Sequence, residues 1–82
     1  MPESIPERVI RVIAETQKIP VGGVSAESTF QQLGIDSLDG LNILFALEEE
    51  FGVDVPDDAG KQFASVRQIV EGIEQLLARK DG

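Results

Sequence analysis

Apolar positions along the chain fall into three stretches of helical period separated by irregular connections. In the first, Ile5, Val9, Val12, Ile13 and Thr16 recur at three-to-four spacing, with Arg8, Arg11 and Glu15 on other faces. Ser4-Ile5-Pro6-Glu7 precedes that run: the serine can cap, the proline sits in the permissive first turn and the glutamate can return the capping bond. A first helix over residues 6–18 follows, ending ahead of Pro20 because the residue before a proline disfavours helical angles. In the second stretch Leu41, Leu44, Leu47 and Phe51, with Ile43 beside them, form an inward stripe. In the third, Val66, Ile69, Val70, Ile73, Leu76 and Leu77 share one face behind a second capping-box pattern, Ser65-Val66-Arg67-Gln68. Arg79 and Lys80 near its end suit the helix dipole, and Gly72 inside it costs about 1 kcal/mol relative to alanine, which points to close packing at that position.

The connections carry less pattern. Residues 21–36 hold Gly22, Gly23, Gly34 and several small polar side chains, and read as one long loop across the end of a bundle. A loop of that length needs anchors, for which Phe30 and Leu33 are the candidates, with Ser28 and Thr29 starting a short turn. Val21-Gly22-Gly23-Val24 lacks the lysine and the spacing of a phosphate-binding loop. After Phe51, Gly52 supplies a stop and Asp54-Val55-Pro56 an extended turn, and residues 57–62 form a short third helix weakened by Gly60. Asp57 and Asp58 lack the graded oxygen ligands of a calcium loop, so loose cation binding is expected there and no specific metal site. The expected fold is all-α: a small four-helix bundle, three helices long and one short, with a long first loop, in a single domain over residues 1–82.

The rest is organised around Leu33-Gly34-Ile35-Asp36-Ser37-Leu38-Asp39, which runs directly into the second apolar stretch. A glycine suited to a turn, then Asp-Ser, then helix formers, places Ser37 at a helix start, where its simplest role is to cap an orphan backbone N–H. Leu38 and Phe45 fall outside the inward stripe, among Asp39, Asn42, Glu48 and Glu49. That helix therefore carries more apolar surface than one core face requires. The excess either completes the core or, ringed by carboxylates, forms a recognition surface.

Composition narrows the chemistry. A chain of 82 residues supports one thin core, burying about 60 to 65 per cent of the surface its unfolded form exposes, and 41% hydrophobic residues argue against disorder throughout. Without cysteine there is no disulfide, thiolate metal site or intrinsic thiol nucleophile, so thioester chemistry would need a borrowed sulfur. Without histidine Ser37 has no usual general base, and Asp36 is too weak a base for a hydroxyl. Ser37 is more credible as another enzyme's substrate than as a catalyst. No apolar run approaches a membrane span and Met-Pro-Glu-Ser has no signal-peptide character, so a cytoplasmic protein is expected.

The net charge of −8 is concentrated. No basic residue lies between Lys18 and Lys61, whereas Glu27, Asp36, Asp39, Glu48, Glu49, Glu50, Asp54, Asp57 and Asp58 all do. This block repels nucleic acid and anionic lipid and favours partners with basic patches, although it would also serve simply as a solvated face. Like charge at this density opposes compaction, so magnesium or added salt is expected to raise the melting temperature; indifference to both would contradict the argument.

The motif Leu33-Gly34-Ile35-Asp36-Ser37-Leu38-Asp39, followed by Ala46-Leu47-Glu48-Glu49-Glu50-Phe51-Gly52 and Val55-Pro56-Asp57-Asp58, resembles the acyl carrier protein family over nearly the whole chain. The resemblance implies that Ser37 receives a phosphopantetheine arm from coenzyme A through a phosphopantetheinyl transferase and magnesium, with Asp36 assisting, and that the arm's thiol carries acyl groups as thioesters. It implies docking of acyl-transfer and chain-elongation enzymes on Leu38, Asp39, Phe45, Glu48 and Glu49. Phe30, Leu41, Ile43, Leu47, Phe51, Val55, Phe63, Ile69 and Ile73 are then expected to line a space for the acyl chain. The chain would be a monomeric carrier and not an enzyme. Asn42 stands where many members carry an acid, Gly40 replaces a larger residue and Phe45 a methionine, which leaves a specialised lipid or polyketide carrier open beside a fatty-acid one. An aminoacyl or peptidyl carrier shares the bundle. From another class, an unmodified acidic adaptor would use Ser37 only as a cap.

Overall fold

The computed structural model describes residues 3–56 and 63–81. It contains helices α1 (Ile5–Gln17), α2 (Phe30–Leu33), α3 (Ser37–Phe51) and α4 (Val66–Asp81), with a short 3-10 turn at Val21–Gly23. The expected bundle is present, and α1 packs against both α3 and α4. Among the described residues no helix is long and apolar enough to cross a membrane. The short helix expected over residues 57–62 lies outside the described residues.

α1 begins as its sequence predicts. The Ser4 hydroxyl accepts the Glu7 N–H at 3.3 Å and the Glu7 carboxylate accepts the Ser4 N–H in return, a complete capping box with Pro6 in the first turn. It ends one residue earlier than expected, because Lys18 adopts a left-handed conformation (φ 58°, ψ 43°) and donates its N–H to the last-turn carbonyls of Ala14 and Glu15. At α4 the Gln68 N–H donates to Ser65 Oγ at 3.4 Å, while the Gln68 side chain accepts from Ala64 N–H and not from Ser65.

The core is apolar throughout and aliphatic but for Phe51. Val9, Val12, Ile13 and Ala14 from α1 meet Ile43, Leu47 and Phe51 from α3 and Val66, Ile69, Val70 and Ile73 from α4, and no polar side chain is buried among the described residues. The long first loop is anchored at the expected residues and at two more. Phe30 and Leu33 are half-buried and pack against the core, and Val24 and Ile35 are buried in it. Backbone pairing also holds it: Phe30 N–H donates to Ala64 O and Val66 N–H to Ser28 O, both at 3.0 Å, around an antiparallel bridge between Thr29 and Ser65. This pairing sets the start of α4 beside α2.

One acid of the negative block is not a free surface charge. Glu50 Oε2 accepts from Arg8 Nε at 3.0 Å and Arg11 Nη2 at 2.8 Å, while Arg8 Nη2 donates to the Glu50 carbonyl and the Arg8 guanidinium lies 4.3 Å from the centre of the Phe51 ring. Arg11 also reaches Glu3 and Glu15. The cluster fastens α1 to the end of α3, where a cation suits the helix dipole. Hydrogen bonds from Arg8 and then Arg11 hold the Glu50 carboxyl below its ordinary value. A depressed folded-state pKa gives stability that is complete above the unfolded value and disappears as pH falls through the folded one. The stability gap between wild type and Glu50→Gln, measured by urea unfolding, is therefore expected to be widest near neutral pH and to close in acid. A gap independent of pH would show that the carboxylate charge contributes nothing.

Candidate functional site

The turn before α3 fixes the site. Gly34 takes a left-handed conformation (φ 71°) that ends α2, a backbone setting that favours glycine. Ile35 then turns inward and is buried, which leaves Asp36 extended (φ −91°, ψ −174°) at the head of α3. Asp36 Oδ1 accepts the Asp39 N–H at 2.8 Å, so Asp36 is the cap. The capping role expected of Ser37 is corrected by this geometry. Ser37 is the first residue inside the helix, exposed, and its hydroxyl has no hydrogen-bond partner among the described residues.

α3 has two apolar faces where the sequence pattern suggests one and a remainder. Ile43, Leu47 and Phe51 face the core, whereas Leu41 is 47% exposed and Leu44 half-buried, so neither belongs to the inward stripe assigned to it. Successive residues turn by about 100° around a helix, so counting in threes and fours from Ser37 gives Gly40, Leu41, Leu44 and Glu48. These residues share one side of α3, and with Phe45, Asp36 and Ser37 they line a cleft of about 780 Å³ whose other walls are Phe30, Ile35, Val55 and Phe63.

The residues expected to line an acyl space therefore separate into two groups. Phe30, Leu41, Val55 and Phe63 line the cleft; Ile43, Leu47, Phe51, Ile69 and Ile73 do not, because they are buried in the close-packed core between the helices. Ile35, Gly40 and Leu44 were not expected. The helical count from Ser37 would have found the last two, but Ile35 is a single branched residue in a loop and carries no periodic signal.

The candidate docking residues also separate. Leu38 is 72% and Phe45 61% exposed, and with Asn42 and Glu49 they follow one strip of α3 facing away from the core. Asp39 and Glu48 are half-buried. Glu48 Oε2 accepts the Val55 N–H at 2.9 Å, so it ties the following loop to α3 and supports a cleft wall in addition to offering charge.

A phosphopantetheine group fits these residues. The attachment hydroxyl would be exposed and unengaged, the positive end of α3 suits a phosphate, and the apolar cleft starts beside Ser37. Among the described residues no cluster of potential metal ligands is present.

Comparison with known proteins agrees with this geometry. Residues 7–73 match the family described as "Phosphopantetheine attachment site". The chain is 38% identical over 78 residues to the mitochondrial acyl carrier protein of Dictyostelium discoideum and 37% identical over 82 residues to the chloroplastic acyl carrier protein 1 of Casuarina glauca. The alignments take in 95% and 99% of this chain but only 65% and 60% of those relatives. It is 38% identical over 74 residues to the acyl carrier protein of Rickettsia bellii, covering 89% of this chain and 86% of that one. Its fold superposes on the crystal structure of the acyl carrier protein of Thermotoga maritima with a TM-score of 0.80 at 23% identity, over 90% of this chain and 87% of that one. The family match runs from the first turn of α1 well into α4 and so spans the described elements that shape the cleft: the chain belongs to the acyl carrier protein family, whose prosthetic group is phosphopantetheine.

Proposed function

We propose that Ser37 is the residue that carries phosphopantetheine and that the carrier presents acyl groups to enzymes of fatty-acid, lipid or polyketide synthesis. The observation that carries this reading is the division of labour at the head of α3: Asp36 caps the helix, leaving the Ser37 hydroxyl exposed beside an apolar cleft. In the transfer, the Ser37 oxygen attacks the phosphorus of coenzyme A that bears pantetheine. The phosphoanhydride breaks, the adenosine bisphosphate portion leaves, and the proton passes to a base of the phosphopantetheinyl transferase, since this chain offers none. Asp36 uses Oδ1 in the cap, and its second oxygen is available to a magnesium ion in that complex. When bound, the group supplies the thiol that this cysteine-free chain lacks, and acyl chains are held on it as thioesters.

Partner enzymes would meet the strip of Leu38, Phe45 and Glu49, with Asp39 and Glu48 at its sides, through basic patches around an apolar contact. The cleft walls at Phe30, Leu41, Val55 and Phe63 would shelter the start of the acyl chain. The reading takes residues 1–82 as a single acyl carrier domain, supported by the one core shared by α1, α3 and α4, and takes the chain as a monomer in the cytoplasm. The test is intact mass after incubation with coenzyme A, magnesium and a broad-specificity transferase. A gain of one phosphopantetheine supports the carrier reading. A folded chain left unmodified by several transferases would instead favour the acidic adaptor.

A further inference from the structure

Phe63 and Gly72 form a contact that neither helical packing nor capping requires. A Cβ added at Gly72 would lie 2.7 Å from Phe63 Cζ and 3.0 Å from Cε1, closer than side chains approach, so the tip of the ring occupies the place a side chain of α4 would take. Phe63 lines the cleft and Gly72 does not, so the ring stands between the cleft and the notch in α4. The ring is held from behind. Its neighbour Ala64 accepts the Phe30 N–H at 3.0 Å and donates to the Gln68 side chain, which fixes the backbone at the point where Phe63 departs. The glycine is also costly in mid-helix, by about 1 kcal/mol against alanine, and among the described residues the seated ring gives the packing reason for it.

We infer that Phe63, seated in the Gly72 notch, is the end wall of the cleft and sets how long an acyl chain the carrier can shelter. The inference rests on the reading that the cleft takes the acyl chain. Filling the notch drives the ring into the cleft and shortens it; trimming the ring uncovers the notch and lengthens it.

The experiment loads the carrier, through the transferase, from a series of coenzyme A thioesters bearing straight saturated chains of increasing length, and records the melting temperature of each product. In the wild type the melting temperature is expected to rise with each added methylene while the chain is being buried, then to level off when the cleft is full. Gly72→Ala is expected to level off at a shorter chain and Phe63→Leu at a longer one, and the double variant to return toward the wild-type length. If Gly72→Ala does not fold, Phe63→Leu alone still decides. A wild-type melting temperature indifferent to chain length would overturn the cleft reading itself. A wild-type plateau that Phe63→Leu leaves in place would overturn the inference about the end wall while the cleft reading stands.

Discussion

Ser37→Ala is expected to abolish the mass gain completely while leaving the fold as stable as the wild type, and Asp36→Ala to do nearly the reverse. The pairing follows from the geometry at the head of α3. Ser37 lies inside the helix with its hydroxyl unengaged, so removing the oxygen takes away no intramolecular bond. An exposed substitution of that kind changes stability by no more than about 0.5 kcal/mol. Asp36 supplies the oxygen that accepts the Asp39 N–H at 2.8 Å, and losing a helix cap costs about 1 kcal/mol. For a domain of this size that corresponds to a fall in melting temperature of roughly 4 to 8 °C. Asp36→Ala keeps its hydroxyl nucleophile, so it should still be modified, though more slowly if its carboxylate helps to hold magnesium. Intact mass and thermal melting on the two variants separate the roles. A Ser37→Ala protein that melts as early as Asp36→Ala would mean the serine does share the cap, and modification surviving in Ser37→Ala would place the arm elsewhere.

The parts of the fold that could be read directly from the sequence are those where a local rule acts alone. α1 and α4 each have one apolar face and a polar remainder, and Ser4 with Glu7 and Ser65 with Gln68 mark their starts. α3 was harder because apolar residues occupy most of its circumference. Periodicity says that Leu41, Leu44, Leu47 and Phe51 lie near one another, but it does not say where a core face ends and a cleft face begins. That boundary is set by which neighbours arrive, and α1 and α4 cover Ile43 and Leu47 while leaving Leu41 open. The cap was misassigned for a related reason. Asp36 and Ser37 are both good capping residues, and the burial of Ile35 one position earlier selects between them. Contacts distant in sequence left no local trace: Glu50 with Arg8 and Arg11, and the Thr29–Ser65 bridge. The Phe63 ring in the Gly72 notch did have a warning, in a glycine placed where a helix should avoid one.

The division of α3 into a stability face and a cleft face predicts that two leucines about one and two-thirds turns apart behave differently. Leu47 is fully buried at the centre of the core, with Ile43 and Phe51 on its own helix and Val9, Ile13, Ile69 and Ile73 in the same cluster. Leu47→Ala removes that buried side chain and leaves a cavity the neighbours cannot close, at a cost of about 3 kcal/mol within a usual range of roughly 2 to 5. Domains have about 0.05 to 0.15 kcal/mol of net stability per residue, which for a chain this short is on the order of 4 to 12 kcal/mol in all. The variant is therefore expected to lose a large fraction of its stability, and near the lower end of that range to be substantially unfolded at room temperature. Leu41→Ala, at a position 47% exposed on the cleft, has far less apolar contact to lose and is expected to cost under about 1 kcal/mol. Urea titration of both variants measures the difference. Equal losses would mean that Leu41 packs into the core as its spacing alone suggests, and the two-faced description of α3 would fall with it. The effect on loading should invert: Leu41→Ala removes a wall beside Ser37 and should weaken the stabilisation an attached chain provides, whereas a folded Leu47→Ala protein should still accept the arm, because the head of α3 and its exposed hydroxyl lie more than two turns away from the new cavity.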